Sequence, residues 1–415
     1  MRYVPRALTQ TIRRAMSTFP AVLITGARQT GKTTLLRTEF GDSHQYLSLE
    51  RPDVRARALA DPVAFLQEAG PPLILDEIQY VPELLHYIKD RIDADRAPGR
   101  WLLTGSQNFA LMQGVSQTLS GRIAILTLDP LSTTEALERA TMPRVDTLLA
   151  RSFDSQTERL ATDAEASVDF TDWLLRGGFP EPRIHPEVDR QLWFASYVQT
   201  YLERDVRDLA QVADLGTFGR FLMLIGARTG QVVNMTELGR EVGVTGPTVK
   251  RWLSVLETSQ IVYLLQPYYR NFGKRSRKSP KLYLLDPGLA TFLLGLHTPE
   301  AVLQGPSLGA LAETAVIGEW VKAWRQAGEP LAFYYWQSST ASEVDLIIDR
   351  GGVLYGLEVK ATATPTPHHA DALARWLDLA GPTARGVLAC RIARPQTLRP
   401  GIRAVPWHLA WYAQP

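Results

Sequence analysis

Between residues 21 and 130, short apolar runs alternate with helical stretches. The runs Ala21–Thr25, Tyr46–Leu49, Leu73–Leu75, Trp101–Thr104 and Ile123–Leu128 predict strands. Short strands separated by crossover helices imply an α/β fold with a parallel sheet. Ahead of them, residues 1–20 predict a short helix with Ile12 and Met16 on one face, ending before Pro20. Residues 151–172 are polar and acidic (Asp154, Glu158, Asp163, Glu165, Asp169), which predicts a surface loop or a mobile insertion. Residues 173–230 read as helical.

Further on the pattern changes twice. Met235–Val242 predicts a helix and Gly243 a turn. Thr245 caps a second helix with Pro247 in its first turn, running through Val249, Trp252, Leu253 and Leu256. Strands at Ile261–Gln266 and Lys281–Leu285 follow, joined by a basic loop, so 231–300 looks like a winged helix. The last stretch predicts a helix at 308–327, strands at 331–336, 343–350 and 353–360, a helix at 367–380 and a strand at 386–392. The expected division is a core at 1–140, a linker and helical lid at 141–215, a winged helix at 216–304 and a C-terminal α/β domain at 305–415.

The chain's 415 residues are 45% hydrophobic and 21% charged, as in an ordinary globular protein. A net charge of only +2 means that nucleic-acid affinity must come from a local patch. The single cysteine, Cys390, excludes an internal disulfide and fits a reducing compartment. With no apolar run of membrane-spanning length and no signal core, the expectation is a cytoplasmic protein with no membrane partner.

The first chemistry lies after the first strand. Gly26-Ala27-Arg28-Gln29-Thr30-Gly31-Lys32-Thr33, followed by Thr34, is G-x-x-x-x-G-K-T between a strand and a helix. Glycines let backbone N–H groups turn toward phosphates, and the helix N-terminus adds positive potential. Lys32 is expected on the β- and γ-phosphates of ATP, and Thr33 on Mg²⁺. Asp76 and Glu77 end the apolar run 72–75. Asp76 is expected to hold Mg²⁺ through water, and Glu77 to deprotonate the attacking water. The polar end of the next strand offers Ser106 and Asn108 as groups sensing the γ-phosphate.

The basic loop carries Arg270, Lys274, Arg275, Arg277, Lys278 and Lys281, with Tyr268, Tyr269 and Phe272 among or before them. Lysine and arginine contact phosphates without regard to sequence and aromatics stack on bases, so this wing is the candidate DNA-binding element. In the last domain Asp345 lies on an alternating strand and Glu358 and Lys360 on the next, with a hairpin at Gly351-Gly352 between them. With Glu313 on the preceding helix, this is the D-x(n)-E-x-K arrangement of the restriction-endonuclease-like (PD-(D/E)xK) fold. There Asp345 and Glu358 bind Mg²⁺ or Mn²⁺ with support from Glu313, and Lys360 activates a water. An inert binding module with the same fold stands beside that reading.

The loop at 26–33, the strand ending in Asp76-Glu77 and the polar strand end at Thr104–Asn108 resemble, in that order, the AAA+ ATPases. The whole chain is similar to prokaryotic AAA-type ATP-binding proteins with a C-terminal nuclease-like domain of unknown function. Gly177-Gly178-Phe179-Pro180, Tyr201-Leu202-Glu203-Arg204-Asp205 and the segment from Gly309–Glu313 to Lys360 carry the rest of the resemblance. It implies that Arg122 reaches the nucleotide of a neighbouring copy, hence a homo-oligomer, and that Pro180 packs against adenine. The function it implies is Mg²⁺-dependent ATP hydrolysis coupled to DNA; the alternative is a nucleotide-switched signalling or antitoxin-like binding protein.

Overall fold

Ala21–Thr25 (β1) is apolar up to its last residue and buried throughout, as a central parallel strand requires. It pairs in parallel with Trp101–Thr104 (β4) on one side and Ile123–Thr127 (β5) on the other. Beyond the fourth strand lie Leu73–Asp76 (β3) and then Gln45–Ser48 (β2), so the order is β2-β3-β4-β1-β5, all parallel. The computed structural model describes residues 2–105, 114–115, 117–139, 144–154, 168–202, 215–268, 279–338 and 342–412.

Alternation along these strands divides the core between two faces. Leu23, Leu75, Trp101 and Leu103 pack with Phe65, Leu66, Ile88 and Ile92 from crossover helices. Val22, Ile24, Ile74 and Leu102 pack with Leu8, Ile12, Leu35 and Phe40. Thr25, Asp76 and Thr104 all fall at carboxyl ends of strands, where parallel α/β sheets bind ligands.

This sheet belongs to a compact unit of Met1–Leu131 that also takes in Thr258–Gln260 and Arg325–Glu329. The last of these stretches contains the end of the long helix Leu308–Ala327. Carbonyl groups there, which have no partner within the helix, are bonded by side chains of the helix Leu8–Met16. Thr11 Oγ1 donates to Gln326 O at 2.7 Å and Arg14 Nη2 to Ala327 O at 2.6 Å.

The second unit comprises Ser132–Glu257, Ile261–Trp324 and Pro330–Pro415. Its strands are Gln231–Val232 (β6), Val262–Pro267 (β7), Lys281–Leu284 (β8), Phe333–Gln337 (β9), Glu343–Arg350 (β10), Val353–Lys360 (β11), Arg385–Cys390 (β12), Gln396–Arg399 (β13) and Ile402–Pro406 (β14). They form one sheet in the order β13-β14-β12-β11-β10-β9-β7-β8-β6. The parallel pairing of β7 with β9, Gln266 opposite Tyr334, carries this sheet across the boundary expected at 304/305.

Helices Leu215–Ala227, Met235–Val242 and Gly246–Thr258 precede the β7–β8 pair. Asn234 caps the second of them. The β10–β11 hairpin turns at Gly351 and Gly352, both at positive φ (60° and 83°), as a tight two-residue turn demands. The helix Asp371–Ala380 lies on the same sheet. A Cβ on Gly356 would sit 2.4 Å from the Trp376 ring, so this close approach needs glycine.

The acidic stretch 151–172 is not simply a surface loop. Val145–Phe153 and Phe170–Arg176 are helices; Phe153 packs on Tyr355 and Trp320, and Phe170 on Trp407. The two phenylalanines bury its ends, and 155–167 lie outside the described residues. No helix among the described residues is long and apolar enough to cross a membrane.

Candidate functional site

Two glycines shape the loop that follows β1. Gly26 has φ 137°, and a Cβ there would lie 2.2 Å from Leu128 O. Gly31, at φ 92°, is the left-handed residue from which the helix Lys32–Phe40 starts. Thr30 Oγ1 donates to Ala27 O at 3.0 Å, closing the loop upon itself. Lys32 is buried, its Nζ donating to Gly26 O (3.1 Å) and Ala27 O (2.9 Å). The ammonium is therefore held by carbonyl oxygens inside the loop. Thr34 is exposed in the first helical turn, Arg28 is half-buried and Gln29 exposed.

Thr33 Oγ1 donates to both oxygens of Asp76, at 3.1 and 3.0 Å. The carboxylate is buried and also accepts from Tyr46 Oη (2.7 Å) and from Thr104 Oγ1. Burial first, and the Asp76 carboxylate second, push the Tyr46 phenol well above its usual range. Glu77 is left-handed at φ 60°, a conformation that costs a non-glycine residue about 1–3 kcal/mol and marks functional positions. Its N–H donates to Thr104 Oγ1 at 2.9 Å, and its carboxylate accepts from Gln79 Nε2. Thr33 and Asp76 converge as hard oxygen donors and fit Mg²⁺, which when bound supplies charge neutralisation to the phosphates.

Three residues of this site were not anticipated from the sequence. Thr104 joins Asp76 to the Glu77 backbone because β4 lies beside β3. Tyr46 reaches Asp76 from β2 on the other side. Arg6 supports the phosphate loop from behind: Nη1 donates to Thr30 O and Nη2 to Asp129 O, both at 2.7 Å. The signal for Thr104 was its place at a strand end; for Arg6 the sequence carries none. Ser106 and Asn108 lie outside the described residues.

Arg122 is engaged within its own chain. Nε pairs with Asp93 on the helix Leu84–Ala94 at 2.6 Å, and Nη1 donates to Ser120 O. In the second unit, the Gly177–Pro180 turn has its own packing. Gly178 N donates to Asp286 Oδ2 at 2.6 Å, Pro180 opens the helix Pro180–Ile184, and Phe179 packs on Trp193 and Tyr197. Asp286 is buried, which raises its carboxyl. These partners account for the turn.

The C-terminal carboxylates do come together, around a residue expected elsewhere. Lys281 is not on a solvent-facing wing. Its side chain is 4% exposed and its Nζ lies 3.3 Å from Glu313 Oε2 and 3.6 Å from Asp345 Oδ1, in ion pair with Glu343 as well. The physical reason is that strand β8 begins at Lys281 and faces the Glu313 helix. Tyr283 Oη donates to Glu313 Oε2 at 3.0 Å, Val359 N to Asp345 Oδ2 at 2.8 Å, and Lys360 Nζ to Glu358 Oε1 at 2.6 Å. Burial, then the Asp345 charge, pushes Glu313 up to about 7 and Glu358 up to about 8. Burial opposes the Lys360 charge, but Glu358, Asp345 and Glu313 outweigh it and raise that ammonium.

Among the described residues, no three His, Cys, Asp or Glu side chains are grouped so as to hold a metal ion. Both carboxylates expected to hold Mg²⁺ or Mn²⁺ carry ammonium partners instead: Lys281 Nζ lies on Asp345 together with Glu313 and Glu343, and Lys360 Nζ lies on Glu358. Arg270, Lys274, Arg275, Arg277 and Lys278 lie outside the described residues.

Residues 18–137 match an AAA domain, so the first unit is an AAA-type P-loop ATPase domain. Residues 167–300 match a domain of unknown function (DUF8612) and 308–410 another (DUF4143). The uncharacterized proteins Mb2031c of Mycobacterium bovis and Rv2008c of Mycobacterium tuberculosis are each 32% identical over 356 residues, 86% of this chain and 73% of theirs. Among solved structures, the walker-type ATPase PABY2304 of Pyrococcus abyssi aligns with a TM-score of 0.38 at 13% identity, over 70% of this chain and 98% of that one. A single-residue variant of RuvB from Thermotoga maritima aligns with a TM-score of 0.27 at 21% identity, over 62% and 86%.

Proposed function

The chain belongs to the family of these two mycobacterial proteins, and from that premise we propose that it hydrolyses ATP with Mg²⁺ and couples the turnover to DNA. The observation that carries the hydrolytic part is the convergence of Thr33, Asp76, Thr104 and Glu77 beside the Lys32 loop. Lys32 neutralises charge on the β- and γ-phosphates. Thr33 and Asp76 would hold Mg²⁺, which would supply charge neutralisation to the phosphates. Glu77, its carboxylate oriented by Gln79, takes the proton of the attacking water. Thr104 keeps Asp76 and the Glu77 backbone in register.

The DNA part is supported by the basic sequence at 270–278 and by the order of elements around it, three helices and then a strand pair that the basic segment joins, which is that of a winged helix. The ATPase rate with and without single-stranded, duplex and branched DNA tests it. Stimulation by DNA is the expected result; a rate indifferent to all three refutes the coupling.

A second reading is favoured by one observation. Lys281 standing among Glu313, Glu343 and Asp345 suits a nuclease-like fold kept as a binding module. In that reading ATP sets conformation and the second unit binds without cutting. Plasmid nicking dependent on Mg²⁺ or Mn²⁺ and lost in Glu358→Ala would refute it.

A further inference from the structure

Inside the second unit an ammonium is held by three carboxylates from two elements: Glu313 on the long helix, and Glu343 and Asp345 on β10. The rings of Tyr283 and Tyr335 lie 6.0 and 5.9 Å from the same nitrogen. Mg²⁺ takes oxygen ligands at about 2.0–2.1 Å in near-octahedral geometry and sheds its water reluctantly. An ion drawing Asp345 and Glu313 to such distances would collide with Lys281 Nζ, 3.6 and 3.3 Å from them. A side chain also competes for the place without losing the translational freedom that a free ion gives up.

We propose that Lys281 is the resident cation of this cluster, holding Asp345 in place of a divalent metal, and that removing its ammonium frees Asp345 for a divalent-cation site completed by Glu358. The proposal rests on the reading of the second unit as a nuclease-like fold kept as a binding module. A separate observation shows that ligand capacity is left over. Glu358 Oε2 is buried and has no hydrogen-bond partner among the described residues, while Oε1 is taken by Lys360. A carboxylate oxygen buried without a partner is costly, and a cation released from competition with Lys281 would relieve it.

The test is Mn²⁺ binding by the full-length, nucleotide-free chain, measured by calorimetry and by the electron paramagnetic resonance of free manganese. Manganese held at Thr33 and Asp76 is common to every variant and cancels. Wild type and Lys281→Arg, which keeps the charge, are expected to show no Mn²⁺ site that depends on Glu358. Lys281→Met is expected to gain one such site, at least tenfold tighter than any weak site in wild type, and to lose it again in Lys281→Met/Glu358→Gln. A Glu358-dependent site in wild type as tight as that in Lys281→Met overturns the proposal. So does a folded Lys281→Met, judged by circular dichroism, that gains none. Should Lys281→Met fail to fold, Lys281→Gln, which keeps a polar head in the cluster, carries the same two outcomes. Because binding is read without ATP or DNA, a failure of DNA to stimulate the ATPase refutes the coupling above and leaves this test standing.

Discussion

Replacing Arg325 by methionine should destabilise the ATPase unit far more than loss of an ordinary surface ion pair. Arg325 Nη1 lies 2.6 Å from Asp129 Oδ1, and the two side chains are 14% and 2% exposed. The other Asp129 oxygen is buried with no hydrogen-bond partner among the described residues, so the guanidinium is its main compensation. Removing one partner of a buried pair costs about 3–5 kcal/mol, whereas exposed pairs are worth about 0.2–1 kcal/mol. Asp129→Asn should cost less, because Arg325 is the more exposed partner and can turn to water. In the double variant no buried charge is left unpaired, so the losses should not add, and a coupling of about 1–3 kcal/mol is expected. The assay is urea unfolding followed by tryptophan fluorescence, with Trp101 reporting from the core of the first unit. The affected transition should be the one that ATP·Mg²⁺ shifts to higher urea. Arg325 also bears on the nucleotide loop: Asp129 O and Thr30 O are bonded by the same Arg6 guanidinium. Arg325→Met should therefore raise the KM for ATP proportionately more than it lowers kcat. A loss below about 1 kcal/mol with additive single effects would refute the reasoning.

Lys32→Ala should abolish ATP turnover, and Glu77→Gln should retain ATP binding while losing roughly 10²–10⁴-fold in kcat; a wild-type rate in Glu77→Gln removes it as the base. Thr104→Val deletes the hydroxyl shared by Asp76 and the Glu77 N–H. At about 1.5–3 kcal/mol for a hydrogen bond to a charged group, kcat should fall roughly 10- to 100-fold, and an unchanged kcat refutes that role. Changing Lys274, Arg275, Arg277 and Lys278 to alanine should flatten the log-affinity versus log-salt slope for duplex DNA by about 0.9 per lost phosphate contact, while basal ATPase survives; an unchanged slope takes the segment out of the DNA model. Burial, then Arg139, pushes His408 down to about 4, so the folded chain holds it neutral while the unfolded chain protonates it below about 6.5. That stability is present above pH 6.5 and is lost as pH falls toward 4, by about 3 kcal/mol in all, and His408→Gln should flatten the dependence. The same pH slope in both proteins would show that His408 is not its source.

The nucleotide loop was legible in the sequence because its demands are local. Gly26 and Gly31 stand where φ is positive, Lys32 and Thr33 open a helix, and Asp76 and Glu77 close an apolar strand. The Gly351-Gly352 hairpin and the helices Met235–Val242 and Leu308–Ala327 were legible for the same reason: turn chemistry and periodicity act over a few residues. Strand adjacency is not local. The order β2-β3-β4-β1-β5 differs from chain order, and only that order sets Tyr46 and Thr104 on either side of Asp76. Lys281 read as one more wing cation because its charge and neighbours in sequence say so; pairing of β8 and the approach of the Glu313 helix bury it among carboxylates instead. Arg325 likewise meets Asp129 across a long stretch of chain. The local backbone preferences that the sequence carries say which segments become strands and helices. Which charged side chains then share a buried space is decided when distant segments pack, because the cost of an unpaired buried charge is set by neighbours that sequence distance does not reveal.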